Sequence, residues 1–414
     1  MTHIRQLAAF ALFHSETNMR NLLTARRLAL GAVAFVSLAA AAQDIKLGFN
    51  GDLSASPSAQ SGAAGVLGIR AAIDDINAAG GVLGRKLTLV IRDDQSQPPK
   101  SIQNMSELID NEKVVAVLGP TNSGNAMAWK HIPNQKKVVS MGMIGGGTDI
   151  TKPMSPGAEN YMFRVSIVDR EQVVGLMAYA KKAGARKLGL VAETTGYGQG
   201  GLKDMTEIAK LQGLDVVATE RFAVGDTDMT SQLSKLKAAG VDTLVVWAQG
   251  TPTGQLVRSM EKVNYFPNVL SSWAADNITF YDAAGQALAE KPIFMRTMVD
   301  AVAPKQKALF ERTKDKLAAA SAFPFVTHGY DATLLLVAAI KQAGSTDGAK
   351  MREALENLQA PIDGIKKTYE RPFSPTSHEA LTASDFAFVK WTGGKLTQVN
   401  DATTKLLQSP DFKR

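Results

Sequence analysis

The sequence contains no cysteine among its 414 residues. It therefore excludes disulfides, cysteine-dependent catalysis, zinc–thiolate sites and iron–sulfur clusters. It also excludes a lipid attached to a signal-peptide cysteine, so we expect a mature protein without a lipid anchor. A chain that is exported without disulfides must be held together by its apolar core, and a hydrophobic fraction of 45% is ample for one.

Histidine is also scarce, and the motifs of several enzyme classes are missing. Two of the five histidines, His3 and His14, precede the predicted mature chain, and His131, His328 and His378 show no zinc-site spacing. The sequence has neither a G-x-S-x-G nucleophile elbow nor a Walker A loop. We therefore predict no catalytic residue, no metal ligand and no cofactor.

Long blocks of like charge are missing as well. The formal net charge is +7, but the first 42 residues alone hold four arginines and a single glutamate, and the other charges are interspersed. A nucleic-acid-binding surface requires clustered basic residues, so we predict no nucleic-acid partner. The length indicates two domains or one large α/β unit.

The amino-terminal segment has the pattern of a secretory signal peptide. Three arginines precede an apolar run at residues 28–38, and four alanines follow that run. The run is too short to span a bilayer, which takes about 20 apolar residues, whereas this order of segments is typical of export. We predict a signal peptide over residues 1–42, with Met19 as an alternative start, and a location in the periplasm.

The stretch from residue 114 to 148 organises the predicted fold. An apolar run at 114–118 ends in a polar turn that contains Ser123, a helix is predicted at 126–136, and a short second strand closes on a glycine turn before Thr148. In a parallel sheet both turns lie at the carboxyl ends of neighbouring strands, where open α/β folds bind ligands. Hydroxyls and free backbone N–H groups there indicate a carboxylate site.

Strand and helix patterns alternate along the rest of the chain and restart after residue 163. Among the later elements, the pattern predicts helices at 202–211 and 305–319 and a strand at 293–299. No low-complexity linker separates the two halves. We therefore predict two α/β lobes joined by several crossings.

Gly196, Gly198 and Gly201 form the pattern G-x-G-x-x-G between a predicted strand and a predicted helix. This pattern is the fingerprint of a dinucleotide site, which would make the chain an exported NAD-linked enzyme. The alternative is a glycine turn that holds Tyr197 at the end of a strand, and the long polar segment before Gly196 favours this alternative.

Several segments resemble the solute-binding proteins of branched-chain amino-acid ABC transporters. They are AAIDDINAAGGVLGRKLTLVIRDDQSQP from Ala71, VVAVLGPTNSG from Val114, TTGYGQGG from Thr194, HGYDATLLLVAAIKQAGSTDG from His328 and YERPFSPTSHEA from Tyr369. The resemblance implies a type I periplasmic binding fold, with two Rossmann-like lobes joined by three hinge crossings. It implies lobe 1 at residues 44–164 plus 299–372, and lobe 2 at residues 165–298 plus 373–414.

The same resemblance implies where the ligand binds. Ser123 and the turn from Gly145 to Thr148 match the family's carboxylate-binding positions, and Tyr197 matches a tyrosine that covers the ligand. Leucine-binding members hold a glutamate in a later loop, which corresponds to SSWAADN from Ser271 in this sequence. The matching position is Trp273, and Asp276 follows three residues later. The predicted ligand-binding residues are Asn122, Ser123, Gly145, Gly146, Thr148, Tyr197, Gln249, Thr251, Trp273 and Asp276.

The identity of the ligand stays open at this point. The resemblance implies a branched-chain or other aliphatic amino acid, whereas the missing glutamate makes an aromatic or other des-amino carboxylic acid the alternative. The partners implied are this ligand and the membrane permease of an ABC importer, and we expect a monomer. A sensor that presents its ligand-bound state to a membrane receptor is a further reading.

Overall fold

The computed structural model describes residues 43–407, and the predicted signal peptide lies outside this range. The first sheet contains five parallel strands in the order β2-β1-β3-β4-β5. Its strands are β1 (Ile45–Gly51), β2 (Leu87–Asp93), β3 (Ala116–Leu118), β4 (Val139–Gly142) and β5 (Met162–Arg164). Their apolar side chains alternate between the two faces, and helices cover both faces, so β1 and β3–β5 are almost wholly buried.

The second sheet has four parallel strands in the order β7-β6-β8-β9. Its strands are β6 (Leu188–Glu193), β7 (Val216–Phe222), β8 (Thr243–Trp247) and β9 (Asn268–Ser271). Beside it lies a three-stranded antiparallel sheet of β10 (Phe294–Arg296), β13 (Ala387–Thr392) and β14 (Lys395–Gln398). A two-stranded hairpin pairs β11 (Ile362–Asp363) with β12 (Thr368–Tyr369).

Fourteen α-helices connect these strands within the described residues. Those associated with the first half are α1 (Ala59–Ala78), α2 (Pro98–Ser106), α3 (Ser123–Trp129) and α4 (His131–Lys136). The second half contributes α5 (Asp169–Lys182), α6 (Gly196–Leu211), α7 (Thr230–Ala238), α8 (Gly250–Lys262), α9 (Ile278–Ala284) and α10 (Gln286–Ala289). The remaining helices are α11 (Pro304–Thr313), α12 (Phe323–Ala343), α13 (Gly348–Glu356) and α14 (Ala402–Leu407).

The predicted alternation of strands and helices is confirmed, but several predicted elements are wrong in extent. The helix predicted at 126–136 is two helices, because Pro133 has no N–H to donate to an unbroken helix. The helix predicted at 305–319 ends at Thr313, where the next residues are charged and have no apolar side chain to bury. The strand predicted at 293–299 covers only Phe294–Arg296.

The helix predicted at 202–211 begins six residues earlier, at Gly196. Thr195 supplies an N-cap, since its side chain accepts from the Gly198 N–H. Four glycines in the first six residues oppose helix formation, so the packing of this segment overrides its weak propensity. The missed residues are the part of α6 that faces the first sheet's loops.

Helices α1 and α12 pack closely against each other in the core. A Cβ added to Gly68 would lie 1.9 Å from the Val326 carbonyl oxygen, and one added to Gly329 would lie 2.1 Å from the Gly65 carbonyl oxygen. The two backbones therefore touch without intervening side chains. The segment Ala320–Ala343 is long and apolar enough to cross a membrane, but 83% of its apolar window is buried in the described structure, as expected for a core helix.

We predict that Gly68→Ala destabilises the protein, although alanine normally stabilises a helix interior by about 0.5–1 kcal/mol relative to glycine. The added methyl group would push α1 away from the α12 backbone, and overpacking of this kind costs about 1–3 kcal/mol. Urea unfolding of the variant measures this loss. Gly200→Ala is the matched control, because a Cβ at this helical position meets no atom within 4 Å; a stabilised Gly68→Ala would contradict the prediction.

Candidate ligand-binding site

A cavity lies between the carboxyl-end loops of the two parallel sheets. Its empty volume is about 490 Å³, part of it open to solvent. From the first sheet's loops and α1 it is lined by Pro57, Ser58, Ser61, Thr121, Asn122, Ser123, Ile144, Gly145 and Gly146. From the second sheet's loops and α12 it is lined by Tyr197, Gln249, Gly250, Trp273, Ala274, Asp276, Asn277 and Phe325.

Eight of the ten predicted ligand-binding residues line this cavity, and Thr148 and Thr251 do not. Thr148 lies at the contact between the two halves, where its hydroxyl donates to Asp204 (2.6 Å) and accepts from the Arg170 N–H (3.0 Å). Thr251 is the second residue of α8 and is half-buried away from the cavity. The structure thus gathers the eight others at one place, while their role toward a ligand stays a prediction.

The loop after β3 presents two buried hydroxyl groups to the cavity. The Ser123 hydroxyl oxygen accepts from the Gly147 N–H at 3.0 Å, and the Thr121 hydroxyl oxygen accepts from the Asp52 N–H at 2.8 Å. Each hydroxyl therefore keeps its own hydrogen for donation. Asn122 caps α3 by accepting from the Gly124 N–H at 2.8 Å, so its carbonyl oxygen is already engaged.

The glycine turn after β4 is fixed by hydrogen bonds from a buried cation. Arg164 is fully buried, and its Nη1 donates to the carbonyl oxygens of Gly145 (3.2 Å) and Gly147 (2.8 Å). Its Nε donates to Glu379 at 2.7 Å. A Cβ on Gly146 would lie only 2.2 Å from Asp169 Oδ1. A larger residue at this position would therefore require the Asp169 side chain to move.

Asp276 places a buried carboxyl group at the second sheet's side of the cavity. It ends the 3-10 turn Trp273–Asp276 after β9, and it is 1% exposed. Neither carboxylate oxygen accepts a hydrogen bond from the described residues, and the nearest cation is Arg296, with its Nη1 3.9 Å from Asp276 Oδ2. Burial raises the pKa of this carboxyl to about 7, and Arg296 opposes the rise.

Aromatic rings form an apolar wall of the cavity. The rings of Trp273 and Phe325 meet edge to face with centroids 5.3 Å apart, and Tyr197 lies 6.0 Å from Trp247. Behind this wall His328 bonds to the Met143 carbonyl oxygen (3.1 Å) and to the Thr297 hydroxyl (2.9 Å). Burial lowers the pKa of His328 to about 3, so this histidine is neutral and serves the core.

Comparison with known proteins agrees with this arrangement. The family model described as periplasmic binding protein matches residues 44–395. The chain belongs to this family. The Leu/Ile/Val-binding protein BraC3 of Rhizobium johnstonii is 25% identical over 369 residues, which cover 89% of this chain and 96% of that protein.

Solved structures share the fold of this periplasmic binding protein. A leucine-binding protein LivK of Thermotoga maritima superposes with a TM-score of 0.74 and 21% identity, covering 86% of this chain and 98% of that one. A solute-binding protein of R. palustris, solved in complex with 4-hydroxybenzoate, gives a TM-score of 0.71 and 21% identity, covering 86% and 96%. Both confirm the predicted two-lobed type I fold, and their identities are too low to transfer a ligand.

Sequence reasoning missed several residues that line the cavity of this binding protein. Ser58 and Ser61 follow β1, and strand order β2-β1-β3 places that strand's carboxyl end beside the loop that carries Ser123. The polar turn after β1 was visible in the sequence, so topology was the missing information. Phe325 lies at the start of α12 rather than after a strand, so the strand-end rule could not find it.

The glycines of the G-x-G-x-x-G pattern are all used in packing. A Cβ on Gly196 would lie 2.7 Å from Gly124 Cα, one on Gly198 would lie 1.9 Å from the Glu193 carbonyl oxygen, and one on Gly201 would lie 2.0 Å from the Trp247 ring. Protein atoms thus fill the space beside each glycine. The pattern is explained by these contacts without a dinucleotide.

An acidic cluster at the carboxyl ends of β1 and β2 is likewise explained by the fold. The carboxylate oxygens of Asp52, Asp93 and Asp94 lie within 4.8 Å of one another. Asp52 accepts from the backbone N–H groups of Ser54 and of the next two residues, and Asp93 accepts from neighbouring N–H groups as well. Asp94 accepts from the side chains that flank it on α2 and α3. These bonds fix the loops beside the cavity.

Proposed function

We propose that this protein is the periplasmic ligand-binding component of an ABC importer, that it catalyses no reaction, and that its ligand is a branched-chain or other aliphatic amino acid. The observation that carries the proposal is the buried carboxyl group of Asp276, which lines the cavity and accepts no hydrogen bond from the part of the chain that the structure describes. The names of relatives such as BraC3 support it. A cleaved signal peptide, a monomeric state and docking on a membrane permease belong to the same proposal.

The carboxylate of the ligand would bind at the first sheet. Ser123 and Thr121 can each donate a hydroxyl hydrogen to it, because their oxygens already accept backbone N–H groups. Hydrogen bonds to a charged group contribute about 1.5–3 kcal/mol each. Arg164 fixes the glycine turn beside these hydroxyls, so the donors are oriented before the ligand arrives.

The ammonium group of the ligand would pair with Asp276. A buried carboxylate without hydrogen bonds is costly, and a cationic ligand group within the cavity would remove that cost. Trp273 occupies the position of the family's acid, but the 3-10 turn brings Asp276 into the same cavity. The departure from the family pattern is therefore compensated one turn later in the chain.

The side chain of the ligand would lie against Trp273, Phe325 and Ile144. Burying a leucine-sized side chain contributes about 1.5–3 kcal/mol, while micromolar affinity needs about 8 kcal/mol. The carboxylate and the ammonium group of the ligand must supply most of the remaining binding free energy. A thermal-shift screen of the purified protein against amino acids and aliphatic and aromatic acids tests the assignment, because a bound ligand raises Tm in proportion to its affinity.

The alternative ligand is an aromatic or other des-amino carboxylic acid. The aromatic wall favours it, and a protein of the same fold has been solved with 4-hydroxybenzoate. Such a ligand would leave the Asp276 carboxylate buried without a partner, and this disfavours it. An NAD-linked enzyme is disfavoured by the packed glycines of α6, and nothing in the cavity selects a membrane receptor over a permease.

We propose further that the lobes, 44–164 plus 299–372 and 165–298 plus 373–414, close over the ligand by hinge motion. Two contacts support this. The Thr148 hydroxyl donates across to Asp204, and Gly124 and Gly196 touch backbone to backbone. Thr148 would then act in closure rather than in ligand contact.

Ser123→Ala should weaken the binding of an amino-acid ligand by about 1–3 kcal/mol, the range for the loss of a hydrogen bond to a charged group. Isothermal titration calorimetry with L-leucine, or with the best amino acid of the screen, measures the change. Ser384→Ala is the control, because Ser384 is exposed and does not line the cavity. Unaltered affinity of Ser123→Ala would remove this hydroxyl from the site.

Asp276→Asn should cost the same amino acid about 3–5 kcal/mol, because the ligand's buried ammonium would lose its charged partner. The des-amino analogue 4-methylpentanoate should bind the wild-type protein poorly and should gain relative affinity in the variant. Calorimetry on the wild type and the variant with both ligands measures this change in relative affinity. Tight wild-type binding of a simple aromatic carboxylate, with leucine, isoleucine and valine all silent, would reverse the choice of ligand.

Gly196→Ala should hinder closure, because the new methyl group would collide with Gly124. With saturating ligand we expect a larger radius of gyration than for the wild type by small-angle X-ray scattering, and an affinity at least tenfold weaker. Gly200→Ala, in the same helix with open space around it, should behave as wild type. If Gly196→Ala and the wild type gave the same scattering curve and the same affinity, the contact would play no part in closure.

A further inference from the structure

Arg296 lies behind Asp276 and is fixed by backbone carbonyls. This side chain is 3% exposed at the end of β10. Its Nε donates to the Met298 carbonyl oxygen, and its Nη2 donates to the Ser321 carbonyl oxygen at 3.1 Å. The planar guanidinium is therefore held on two sides. Its Nη1 donates no hydrogen bond within residues 43–407 and lies 3.9 Å from Asp276 Oδ2.

The distance of 3.9 Å between Arg296 Nη1 and Asp276 Oδ2 determines how the two groups interact. It is short enough for strong electrostatic attraction in a buried site, but too long for a hydrogen bond. The Asp276 carboxylate therefore gains the field of a cation without giving up its lone pairs. Both oxygens are left without a hydrogen-bond partner among the described residues.

The other titratable groups near this pair do not compete for the role. Burial raises the pKa of the Tyr197 hydroxyl well above its ordinary range, and it lowers the pKa of His328 to about 3, so both are neutral. Asp300 is exposed and acts on the guanidinium, where it supports the charge of Arg296. Arg296 is thus the cation that sets the charge state of Asp276.

We infer that Arg296 is a positioning residue of the ligand site: through its charge it favours the ionised form of the Asp276 carboxylate, and so makes the site select amino acids over des-amino acids. The inference rests on the proposed function, since it concerns how the same cavity chooses its ligand. Without the guanidinium, burial would favour the neutral carboxylic acid. That acid must release a proton before it can pair with an ammonium group.

Proton release on binding is therefore the decisive measurement. It is obtained by calorimetry with the same amino acid in buffers of different ionisation enthalpy at pH 8. This pH is about one unit above the pKa of Asp276, so wild-type binding should release only about a tenth of a proton. In Arg296→Gln the pKa of Asp276 rises, so binding should release most of a proton and affinity should fall at least tenfold.

Two further variants separate the charge of Arg296 from its hydrogen bonds. Arg296→Lys keeps the charge but cannot reproduce both backbone contacts, and it should release protons as the wild type does. Arg296→Met repeats the removal of charge in case the glutamine variant does not fold. Arg312→Met is the control, because it removes an arginine from an exposed ion pair with Asp75 that is remote from the cavity, and it should leave proton release unchanged.

The outcomes distinguish this inference from the proposed function. If Asp276→Asn weakens amino-acid binding while Arg296→Gln releases no more protons than the wild type, Arg296 has no such role and the proposed function stands. Equal losses of affinity in the lysine and glutamine variants, with unchanged proton release, would show a purely structural arginine. If the wild type binds no amino acid, the proposed function fails and the inference fails with it.

Discussion

The candidate site depends on one buried cation, Arg164. A fully buried guanidinium is tolerated only when it is paired and hydrogen-bonded. Glu379 supplies the charge, and the carbonyl oxygens of Gly145 and Gly147 and the Thr151 hydroxyl oxygen accept the other hydrogen bonds. Those carbonyls are thereby held by the guanidinium, and the N–H of Gly147 in the same turn donates to the Ser123 hydroxyl oxygen. The conformation of the glycine turn at the first sheet's edge therefore depends on this residue.

The same cation also joins distant parts of the chain. Backbone hydrogen bonds flank the pair, from Arg164 to His378 and from Ala380 to Arg164. The segment near residue 379 therefore runs along β5, next to the turn that lines the cavity. A change in this segment would act on the ligand site through the turn, although no residue of the segment lines the cavity.

Sequence patterns predicted the parts of the site that follow from local rules. Because parallel strands end at one edge, the turns after β3 and β4 could be assigned to a site, and Ser123, Gly145 and Gly146 indeed line the cavity. Arg164 and Phe325 could not be found in this way. Their positions depend on partners far along the chain, and a periodic pattern carries no information about such pairs.

The G-x-G-x-x-G pattern shows most clearly that a sequence motif alone does not identify a ligand. The letters from Gly196 to Gly201 match a dinucleotide fingerprint, yet each glycine is needed because a protein atom occupies the place of its side chain. A fingerprint requires a small residue for a close approach, but it does not say what approaches. Here the neighbours are Gly124, the Glu193 carbonyl and the Trp247 ring.

The contact between Gly124 and Gly196 has a consequence for how such a protein can evolve. Because α3 and α6 meet through main-chain atoms at these two glycines, side chains inside the cavity can be exchanged without altering that contact. Ligand preference can therefore drift by mutation while the outline offered to a transport partner is preserved. An importer of this kind could in this way acquire new ligands without a matching change in its membrane subunits.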